Sequence, residues 1–371
     1  MATFVLLYSD TGGGHRTAAD SIKQAFHLVS GQQHRVEVVN AIGCLPTPFN
    51  RSEQTYRAAI RHARWLHYLS YLAMNGVRRM QLLSALLRLL DGKRLRMLLQ
   101  KHPADVYVSC QPHFNPFVPP VMRTVAPYAR YAHVVTDLSR LHRFHVTHEA
   151  RLVTTPTEEA RQELIAHGMC AERIVTTGQP VMPDLERRVQ AGRRARARWG
   201  LRDDLLAVLI LGGGEGMGVI GRIAIAIAES RLPVQQVVIC GRNHALRDGL
   251  QRVLPRQTAR VLGFVDDVPE WMGAADVLIT KAGSTTLAEG FIAGLPIILF
   301  DALPGQEEGP RDYAVLHGAA AWCPTPEDVV AQLRWWLNHK QSLDLARRCS
   351  RALARPEASI RIAQALLELC P

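Results

Sequence analysis

Short apolar runs alternate along the chain with longer segments in which apolar residues recur at the 3.6-residue spacing of a helix. In the first half the apolar runs predict strands at 3–8, 35–40, 105–110, 131–136 and 151–155. In the second half they predict strands at 206–211, 235–240, 261–265, 277–281 and 297–300. Strands that alternate with helices are typical of parallel α/β sheets, so the pattern predicts two doubly wound α/β units.

A Gly-Gln-Pro turn at 178–180 and a basic stretch at 187–202 mark the linker between the two halves. We predict an N-terminal Rossmann-like domain at 1–182, a C-terminal Rossmann-like domain at 183–345 and a helical tail at 346–371. Ligands of such folds bind outside the carboxyl ends of the strands. Two domains that face each other would therefore hold their ligands in the cleft between them.

Composition supports this organisation and restricts the classes of protein. A length of 371 residues and a hydrophobic content of 47% suit two packed domains. No apolar run is long enough to span a bilayer, and the N-terminus enters a strand without a basic region or cleavage signal, which predicts a cytoplasmic location. The seven cysteines form no CxxC motif and no Cys/His cluster, so we expect no metal site.

The net charge of +11 is concentrated in one basic segment. Between residues 51 and 101, eleven Lys or Arg are accompanied by only two acids. The 54–100 region has apolar residues at helical spacing, and Arg57, Arg61 and Arg64 share one face. A pair of core helices and a membrane-surface helix both fit this pattern. No nucleic-acid motif or stacking array accompanies the charge, so we expect no nucleic-acid partner.

A first glycine-rich loop follows the first strand and reads SDTGGGHR at 9–16. It contains neither a Walker motif nor GxGxxG. Gly12, Gly13 and Gly14 allow a substrate to approach the backbone, and they place His15 at the start of a helix. Because the positive end of a helix disfavours imidazolium, His15 is predicted to be a neutral general base. The alternative is a histidine that only caps or packs the helix start.

A second glycine-rich loop, LGGGEGMG at 211–218, follows the strand at 206–211. The spacing GxGxxG occurs late in this loop, and no acidic residue ends the next strand to bind an adenosine ribose, so a dinucleotide site is disfavoured. A loop that holds a diphosphate at a helix N-terminus fits better. The predicted diphosphate contacts in this loop are Gly213, Gly214, Glu215 and Gly216.

The segment 277–307 carries the densest set of polar groups at a strand end. Its strand ends at Lys281, and the turn that follows opens a helix whose free N–H groups suit an anion; the predicted contacts are Gly283, Ser284 and Thr285. Glu289 suits the paired hydroxyls of a ribose, and Gln306 with Glu307 suits a second sugar. Phe264 and Val265 end another strand, where backbone groups can read a planar base. An ordinary βαβ unit is the alternative.

These motifs resemble family 28 glycosyltransferases of the GT-B fold, in the branch of monogalactosyldiacylglycerol synthases and processive diacylglycerol glucosyltransferases. The resemblance is carried by SDTGGGHR (9–16), VTDLS (135–139), LGGGEGMG (211–218), ICGRN (239–243), GFVDDVPEWMGAADVLITKAG (263–283) and AEGFIAGLPIIL…PGQE (288–307). It implies a GT-B fold, with two Rossmann-like doubly wound domains facing across a cleft and a C-terminal helix that returns to the N-terminal domain.

The resemblance implies an inverting transfer of a hexose from a UDP-sugar to the free hydroxyl of 1,2-diacylglycerol. Galactose is favoured as the hexose, and UDP-glucose is the alternative donor. His15 matches the candidate base. From its place at the end of the strand at 131–136, Asp137 is expected to orient either the acceptor or His15, and the alternative is a residue that only caps the strand end. Glu289 matches the acid that holds the uridine ribose, Val265 the residue whose backbone meets uracil, and the Gln306–Glu307 pair the hexose contacts. No DxD motif is present, so neither metal nor other cofactor is expected.

Two departures from the family pattern fall near the expected site. Relatives commonly carry an arginine after the Gly-x-Pro-Val/Ile hinge, and this chain has Met182. The phosphate partner is then either missing or supplied by Lys281 or a linker arginine. Relatives also show His-Pro-x-Trp after VTDLS, whereas this chain reads LHRFH at 141–145. The identity of the acceptor is therefore less firmly implied than that of the donor.

A diacylglycerol acceptor favours the membrane interpretation of the basic segment. We predict that this segment binds anionic phospholipid, and that the protein lies on the inner face of the cell membrane. The predicted contacts are Arg57, Arg61, Arg64, Trp65, Arg78 and Arg79. Two rival functions remain open: a UDP-sugar epimerase on the same fold, and a UDP-sugar sensor without catalysis.

Overall fold

The computed structural model describes residues 1–10, 14–47, 49–51, 64–76, 82, 84–86, 92–214, 216 and 219–370. The chain divides into two compact units. The first unit contains Met1–Pro183, Leu303–Gly309 and Pro356–Pro371, and the second contains Asp184–Ala302 and Pro310–Arg355.

The first unit is built on a parallel sheet of six strands in the order β2-β1-β3-β4-β5-β6. The strands are β1 (Thr3–Tyr8), β2 (Arg35–Asn40), β3 (Val106–Ser109), β4 (Arg130–Val134), β5 (Leu152–Thr155) and β6 (Ile174–Thr176). Its helices among the described residues are α1 (Gly14–Ser30), α2 (Arg64–Met74), α3 (Lys93–Lys101), α4 (Val118–Val125) and α5 (Glu158–Ala166).

The apolar run of β1 explains why this sheet is covered on both faces. Val5 and Leu7 are buried in one hydrophobic cluster, whereas Phe4 and Leu6 are buried in another. Because side chains alternate between the two faces of a strand, a continuous apolar run requires helices on both sides. Packing on both faces thus fixes the position of β1. The first glycine-rich loop follows its carboxyl end.

The second unit also contains a parallel sheet of six strands, in the order β12-β11-β10-β7-β8-β9. The strands are β7 (Leu206–Leu211), β8 (Val234–Ile239), β9 (Ala259–Leu262), β10 (Val277–Lys281), β11 (Ile297–Asp301) and β12 (Ala320–Trp322). The helices that belong to it or begin at its border are α6 (Leu185–Ala195), α7 (Ile220–Glu229), α8 (His244–Val253), α9 (Val268–Ala274), α10 (Ser284–Ala293), α11 (Glu308–Leu316), α12 (Pro326–Asn338) and α13 (Lys340–Leu353).

The last helix, α14 (Ala358–Leu367), returns to the first unit and packs against α1. Its Ile362 and Leu366 share a buried cluster with Ile22 of α1. The Ser359 hydroxyl donates to the Val181 carbonyl at 2.6 Å and accepts from the Val181 N–H at 3.1 Å. The two-unit α/β fold and the returning C-terminal helix are therefore confirmed.

The predicted tail at 346–371 is divided by the structure. Helix α13 stays with the second unit, where the Ser350 hydroxyl donates to the carbonyl of Leu295 at 2.7 Å. The segment from 356 onward belongs to the first unit. The break comes next to Pro356, which cannot donate a backbone hydrogen bond within a helix.

A loop at 303–309 lies within the range predicted for the C-terminal domain, but the structure groups it with the first unit. Two glycines explain this placement. A Cβ at Gly305 would lie 2.7 Å from the ring of Tyr71, and one at Gly309 would lie 2.2 Å from the carbonyl oxygen of Ser139. Only glycines allow the loop to lie so close to these first-unit residues.

Candidate active site

His15 lies in the first turn of α1, directly beyond the glycine-rich loop. Its Nδ1 is 2.9 Å from the carbonyl oxygen of Cys110 and 3.2 Å from the Thr136 hydroxyl. A carbonyl oxygen can only accept, so Nδ1 carries the hydrogen and Nε2 of the neutral ring holds a lone pair. This tautomer has a basic nitrogen available to accept a proton.

Electrostatics favour the neutral form of His15. Burial lowers the pKa of His15 below its ordinary value and outweighs the opposing influence of the Asp137 charge and of the Cys110 hydrogen bond. The sequence pointed to the helix end as the cause of neutrality, whereas in the structure burial is the main cause. A neutral imidazole near pH 7 meets the first requirement for a general base.

Asp137 follows β4, and its carboxylate contacts a buried histidine that the sequence did not single out. Oδ2 of Asp137 lies 3.1 Å from Nε2 of His145, and Nδ1 of His145 lies 2.9 Å from Nε2 of His133. Burial alone would raise the pKa of Asp137, but the hydrogen bond and charge of His145 outweigh it, so this pKa is below its ordinary value. Asp137 is therefore ionised beside His15.

The loop at 303–309 brings Gln306 and Glu307 into the same unit as His15. Glu307 is buried, and its Oε2 accepts from the backbone N–H of Leu303 at 3.0 Å. The loop lies against Tyr71 of α2, whose ring in turn packs edge-on to His142 at 4.6 Å between centroids. The predicted hexose contacts are thus held by the unit that carries the predicted base.

In the second unit, the glycine-rich loop after β7 is packed against the turn that follows β8. Gly216 has a φ of +58°, and a Cβ there would lie 1.9 Å from the carbonyl oxygen of Cys240. The carbonyl of Gly214 accepts from the backbone N–H of Arg242 at 2.9 Å. Only glycine fits at Gly216, so the described part of the loop packs closely against the turn after β8, at the carboxyl edge of the sheet where ligands of parallel sheets bind.

Lys281 and the start of α10 join this loop because β10 pairs with β7. The Cε atom of Lys281 lies 3.6 Å from the position that a Cβ would take at Gly213. Gly283 is the N-cap of α10, so the backbone N–H groups of Ser284 and Thr285 lie in its first turn, where helices leave donors unsatisfied. A cation and a helix N-terminus meet here, which is an arrangement that suits an anion.

Glu289 lies one turn further along α10, at a partly buried position. Burial raises the pKa of its carboxyl to about 7, against the opposing charge of Arg188. Arg188 is itself held in a bidentate ion pair with Glu270, at 2.8 and 2.9 Å. The carboxylate form of such a buried group is stabilised by hydroxyl groups that donate hydrogen bonds to it, such as the two hydroxyls of a ribose.

Phe264 and Val265, which the sequence placed at the end of a strand, lie just beyond β9, which ends at Leu262. Phe264 is half-exposed, and the Arg242 guanidinium lies over its ring at 4.6 Å from the centroid. Arg242 was not among the residues predicted for the site. Its position in the motif ICGRN, shortly after the end of β8, was the signal in the sequence, since β8 pairs with β7, the strand before the second glycine-rich loop.

Met182 stands where relatives carry an arginine, but its side chain has no charge with which to bind a phosphate. Its sulfur accepts a hydrogen bond from Ser21 of α1 at 3.2 Å, within the first unit. The linker arginine Arg188 is occupied by Glu270 and by the Asp266 carbonyl. Of the substitutes expected from the sequence, Lys281 is the one that lies beside the diphosphate loop.

Of the predicted membrane contacts, two fall on α2. Arg64 begins this helix, and Trp65 is 67% exposed. Tyr68, Leu69 and Leu72 continue the exposed apolar stripe at helical spacing. The predicted site residues that lie outside the described residues are Gly12, Gly13, Arg57, Arg61, Arg78, Arg79 and Glu215.

Neither a metal-binding cluster nor a membrane-spanning helix occurs in the described part of the chain. No group of three or more His, Cys, Asp or Glu is arranged to hold a metal ion in the ranges that the structure covers. Within those same ranges, every helix is too short or too polar to cross a bilayer.

Comparison with sequence families places this arrangement among known proteins. The family model "Monogalactosyldiacylglycerol (MGDG) synthase" matches residues 15–181, and the family model "UDP-N-acetylglucosamine 2-epimerase" matches residues 138–367. The probable monogalactosyldiacylglycerol synthase 2 of Oryza sativa subsp. indica is 34% identical over 370 residues, covering 95% of this chain and 78% of the relative. Monogalactosyldiacylglycerol synthase 3 of Arabidopsis thaliana is 32% identical over 384 residues, covering 96% and 79%.

Solved structures with the same fold include MurG of Acinetobacter baumannii, with a TM-score of 0.62 at 17% identity over 99% of this chain and all of that one (100%). The UDP-GlcNAc 2-epimerase of Neisseria meningitidis bound to UDP-GlcNAc has a TM-score of 0.65 at 12% identity, covering 99% and 100%. Fold and relatives together define a glycosyltransferase of the GT-B class. Within that class, the identity to curated relatives shows that the chain belongs to the monogalactosyldiacylglycerol synthase family, as the motifs indicated.

Proposed function

We propose that this protein transfers a hexose from a UDP-sugar to the free hydroxyl of 1,2-diacylglycerol with inversion at the anomeric carbon. Galactose is the favoured hexose, because the relatives with 32–34% identity are named monogalactosyldiacylglycerol synthases. The names of solved structures with this fold include UDP, UDP-GlcNAc and UDP-glucose, which supports a UDP-sugar donor.

The geometry of His15 carries the proposal. Its Nδ1 hydrogen is committed to the Cys110 carbonyl, so Nε2 is the nitrogen that accepts the proton of the lipid hydroxyl. The hydroxyl oxygen then forms a bond to the anomeric carbon while the bond between that carbon and the UDP oxygen breaks. Attack from the face opposite UDP converts an α-linked donor into a β-glycosyldiacylglycerol.

The second unit supplies the contacts of the UDP group in this proposal. The Gly213–Gly216 loop, Lys281 and the N-terminus of α10 hold the diphosphate and stabilise its charge as it leaves. Glu289 holds the ribose, and Val265 and Phe264 hold the base. This set stabilises the leaving group without a metal ion, and we propose a metal-independent reaction.

The hexose is held by Gln306 and Glu307 on the loop at 303–309. That loop belongs to the unit of His15, which supports a role at the reacting end of the donor. Asp137 is ionised near His15 and stabilises the imidazolium that forms when His15 accepts a proton.

The membrane part of the proposal is supported by the outward-facing stripe on α2. Trp65 and Leu69 are 67% and 52% exposed, which is unusual for large apolar side chains of a packed core helix. We propose that this stripe and the arginines of the basic segment at 51–101 bind an anionic lipid surface, from which the enzyme takes diacylglycerol. Peripheral attachment to the inner face of the cell membrane follows from this proposal.

The deciding experiment incubates the protein with vesicles of diacylglycerol and phosphatidylglycerol and with either UDP-galactose or UDP-glucose. We expect a galactolipid product, separated by chromatography, and a β-linkage by NMR, with activity retained in EDTA. Transfer of glucose alone would contradict the favoured donor. Absence of any glycolipid with either donor would contradict the proposed reaction.

A UDP-sugar epimerase is the second candidate, because that family model covers residues 138–367. It would interconvert UDP-sugars without lipid, which chromatography of the nucleotide sugars detects. A sensor without catalysis would bind UDP and turn over neither substrate. The relatives of 32–34% identity favour the transferase over both.

A further inference from the structure

A continuous line of hydrogen bonds runs behind the predicted base. Nδ1 of His133 lies 3.1 Å from the Ser109 carbonyl, and Nε2 of His133 lies 2.9 Å from Nδ1 of His145. Nε2 of His145 lies 3.1 Å from Oδ2 of Asp137. Both imidazoles are fully buried, at 0% exposure, so water cannot replace the contact between the two rings.

The number of hydrogens in this line follows from its geometry. Since the Ser109 carbonyl only accepts, Nδ1 of His133 must carry a hydrogen. The contact between the two rings and the contact with Asp137 need one hydrogen each. The line therefore holds three protons, whereas two neutral imidazoles and a carboxylate hold two. The line includes one extra proton and is neutral as a whole.

The extra proton resides between His145 and Asp137. Burial holds the pKa of His133 well below its ordinary value, and the neighbouring His145 lowers it further, so His133 is neutral. The pKa of Asp137 is also lowered despite its burial, because His145 is its hydrogen-bond partner. A charged donor and a carboxylate at this distance form a buried ion pair.

We propose that His145 is a positioning residue that carries a hydrogen on both ring nitrogens, one directed to His133 and one to Asp137, and thereby holds the Asp137 carboxylate in place near His15. His145 belongs to the segment 141–145, where the chain departs from the family pattern. The other titratable groups around the line are His15 on α1, His142 in the same loop and Tyr71 on α2, with Glu163 and Glu308 acting on Tyr71.

This arrangement has a consequence for the proposed reaction, on which the inference rests. The Asp137 charge opposes the burial that lowers the pKa of His15, and the positive charge of His145 limits that effect. His15 is thus kept neutral in the resting enzyme, while its protonated form is stabilised by the nearby carboxylate during transfer.

A direct test uses nitrogen-15 NMR of the full chain labelled at histidine. At pH 8, where exposed histidines are neutral, we expect one imidazole with both nitrogens protonated. That signal should be lost in His145→Gln and should become a neutral imidazole in Asp137→Asn. A wild-type spectrum without an imidazolium at pH 8 would overturn the assignment, whatever reaction the protein catalyses.

A kinetic test uses the pH profile of kcat/KM for transfer to diacylglycerol. In His145→Gln we expect kcat to fall roughly ten- to a hundredfold, which is less than the roughly 10²- to 10⁴-fold contribution of a general base. The acid limb should move to higher pH, because an unpaired Asp137 either raises the pKa of His15 or takes up the proton itself. In either case a group that must be unprotonated for activity takes up a proton at a higher pH than in the wild type.

The control is His102→Gln, which removes another histidine–carboxylate pair of the same unit, 2.8 Å from Glu37. It should leave the acid limb in place. In the Asp137→Asn background, His145→Gln should cause no further loss, because His145 acts through Asp137. An unmoved acid limb in an active His145→Gln enzyme, or additive losses, would overturn the inference.

If His145→Gln does not fold, His133→Phe tests the same line from its other end. That change removes the acceptor of the His145 Nδ1 hydrogen, and we expect a smaller shift of the acid limb in the same direction. No shift would count against the inference. A wild-type enzyme that forms no glycolipid would contradict the proposed function instead, so the two failures are distinguishable.

Discussion

The proposed reaction depends on which nitrogen of a single imidazole carries a hydrogen. In His15, the Cys110 carbonyl fixes the hydrogen at Nδ1, and burial keeps the ring neutral. The Cys110 carbonyl follows β3, and Asp137, whose charge opposes the effect of burial, follows β4, so both act on His15 from distant parts of the sequence. At the residue scale, the function rests on contacts between the ends of neighbouring strands.

Replacement of His15 by alanine tests its role as the base. We expect kcat to fall about 10²- to 10⁴-fold, because His15 supplies the proton acceptor of the proposed reaction. Affinity for UDP should be unchanged, because the diphosphate contacts belong to other residues. Single-turnover assays and calorimetry with UDP give the two readouts.

His27→Ala is the matched control, since His27 is exposed in the last turn of the same helix. It should retain normal transfer. Near-normal turnover of His15→Ala would contradict the assignment of the base.

Glu289 predicts a pH dependence of donor binding. Its pKa of about 7 means that the carboxylate form is lost as pH falls below 7. In the proposed site the carboxylate accepts hydrogen bonds from two ribose hydroxyls, so affinity for UDP-galactose should weaken between pH 8 and pH 6. The diphosphate diester of UDP-galactose does not titrate in this range. Calorimetry at several pH values measures the effect.

Glu289→Gln is the control for that dependence. Its amide has no titration, so the affinity of this variant should be weaker and constant with pH. A wild-type affinity that is equally constant would exclude Glu289 as the ribose contact.

Some of the site residues were visible in the sequence and others were not. His15 and Asp137 could be found because each follows a strand at its carboxyl end, where ligands of parallel sheets bind. His133 lies within β4 among apolar residues, so it resembled a core position. Its partner His145 is twelve residues away, and only the folded loop brings the two rings together.

At the scale of elements, a single glycine allows the loop at 303–309 to pack against a neighbouring helix. Gly305 has a φ of +82° and lies against the ring of Tyr71 on α2. The same loop carries Gln306 and Glu307, so α2 contacts the loop that positions the residues proposed to hold the hexose. The exposed stripe and the Tyr71 contact occur on one helix.

Gly305→Ala should therefore impair the reaction as well as the fold. A positive φ costs alanine about 1 kcal/mol in folding stability, and the Tyr71 ring leaves no room for the methyl group. We expect kcat/KM for UDP-galactose to fall roughly tenfold or more, because a misplaced contact at the reacting group is costly.

Gly168→Ala separates these two effects. Gly168 has a φ of +86°, but the position that a methyl group would take there has no neighbouring atom within 4 Å. This variant should lose only the stability that the positive φ costs, about 1 kcal/mol, and keep its activity. Equal activity in the two variants would show that the Tyr71 contact does not matter.

Strand positions were largely predictable because apolar runs in parallel sheets are continuous. The predicted strands 3–8, 35–40, 206–211 and 277–281 agree with the structure. The three-residue strands β6 and β12 were missed, because runs so short carry no period. The predicted strand 261–265 also extended too far: β9 ends at Leu262, and the residues beyond it are those proposed to meet the base.

At the scale of the whole molecule, the net charge of +11 and the stripe on α2 lead to the membrane proposal. Charge attracts the protein to anionic lipid, and apolar side chains then enter the interface. The first contribution weakens with salt, whereas the second depends on single side chains. The two can therefore be measured separately.

Trp65→Ala should reduce binding to phosphatidylglycerol vesicles about tenfold, because burial of a large apolar side chain contributes roughly 1.5–3 kcal/mol. Raised salt should release the wild-type protein from the same vesicles. Co-sedimentation measures both effects.

Tyr128→Ala is the control, since Tyr128 is 98% exposed in the same unit but lies outside α2. Its vesicle binding should equal that of the wild type. Equal binding to neutral and anionic vesicles would contradict the electrostatic contribution.

The domain division illustrates what a linear sequence cannot specify. The chain passes from one unit to the other near residues 183, 302, 309 and 355. Of these points, only the first coincides with a change in composition, at the hinge before the basic stretch. The short excursion at 303–309 depends on Tyr71 and Ser139, which no local pattern connects to it.

Each unit contains several separate stretches of the chain, so a chimera between members of the family has to exchange all stretches of a unit together. A graft that exchanges only 1–183 would import a new acceptor-side scaffold while leaving the native 303–309 and 356–371 pieces facing foreign surfaces. A hybrid that carries all three stretches together keeps the Gly305 and Ser359 contacts intact. Chimeras designed to change lipid specificity therefore need several crossovers at once. A single crossover at the hinge is expected to yield poorly folded protein.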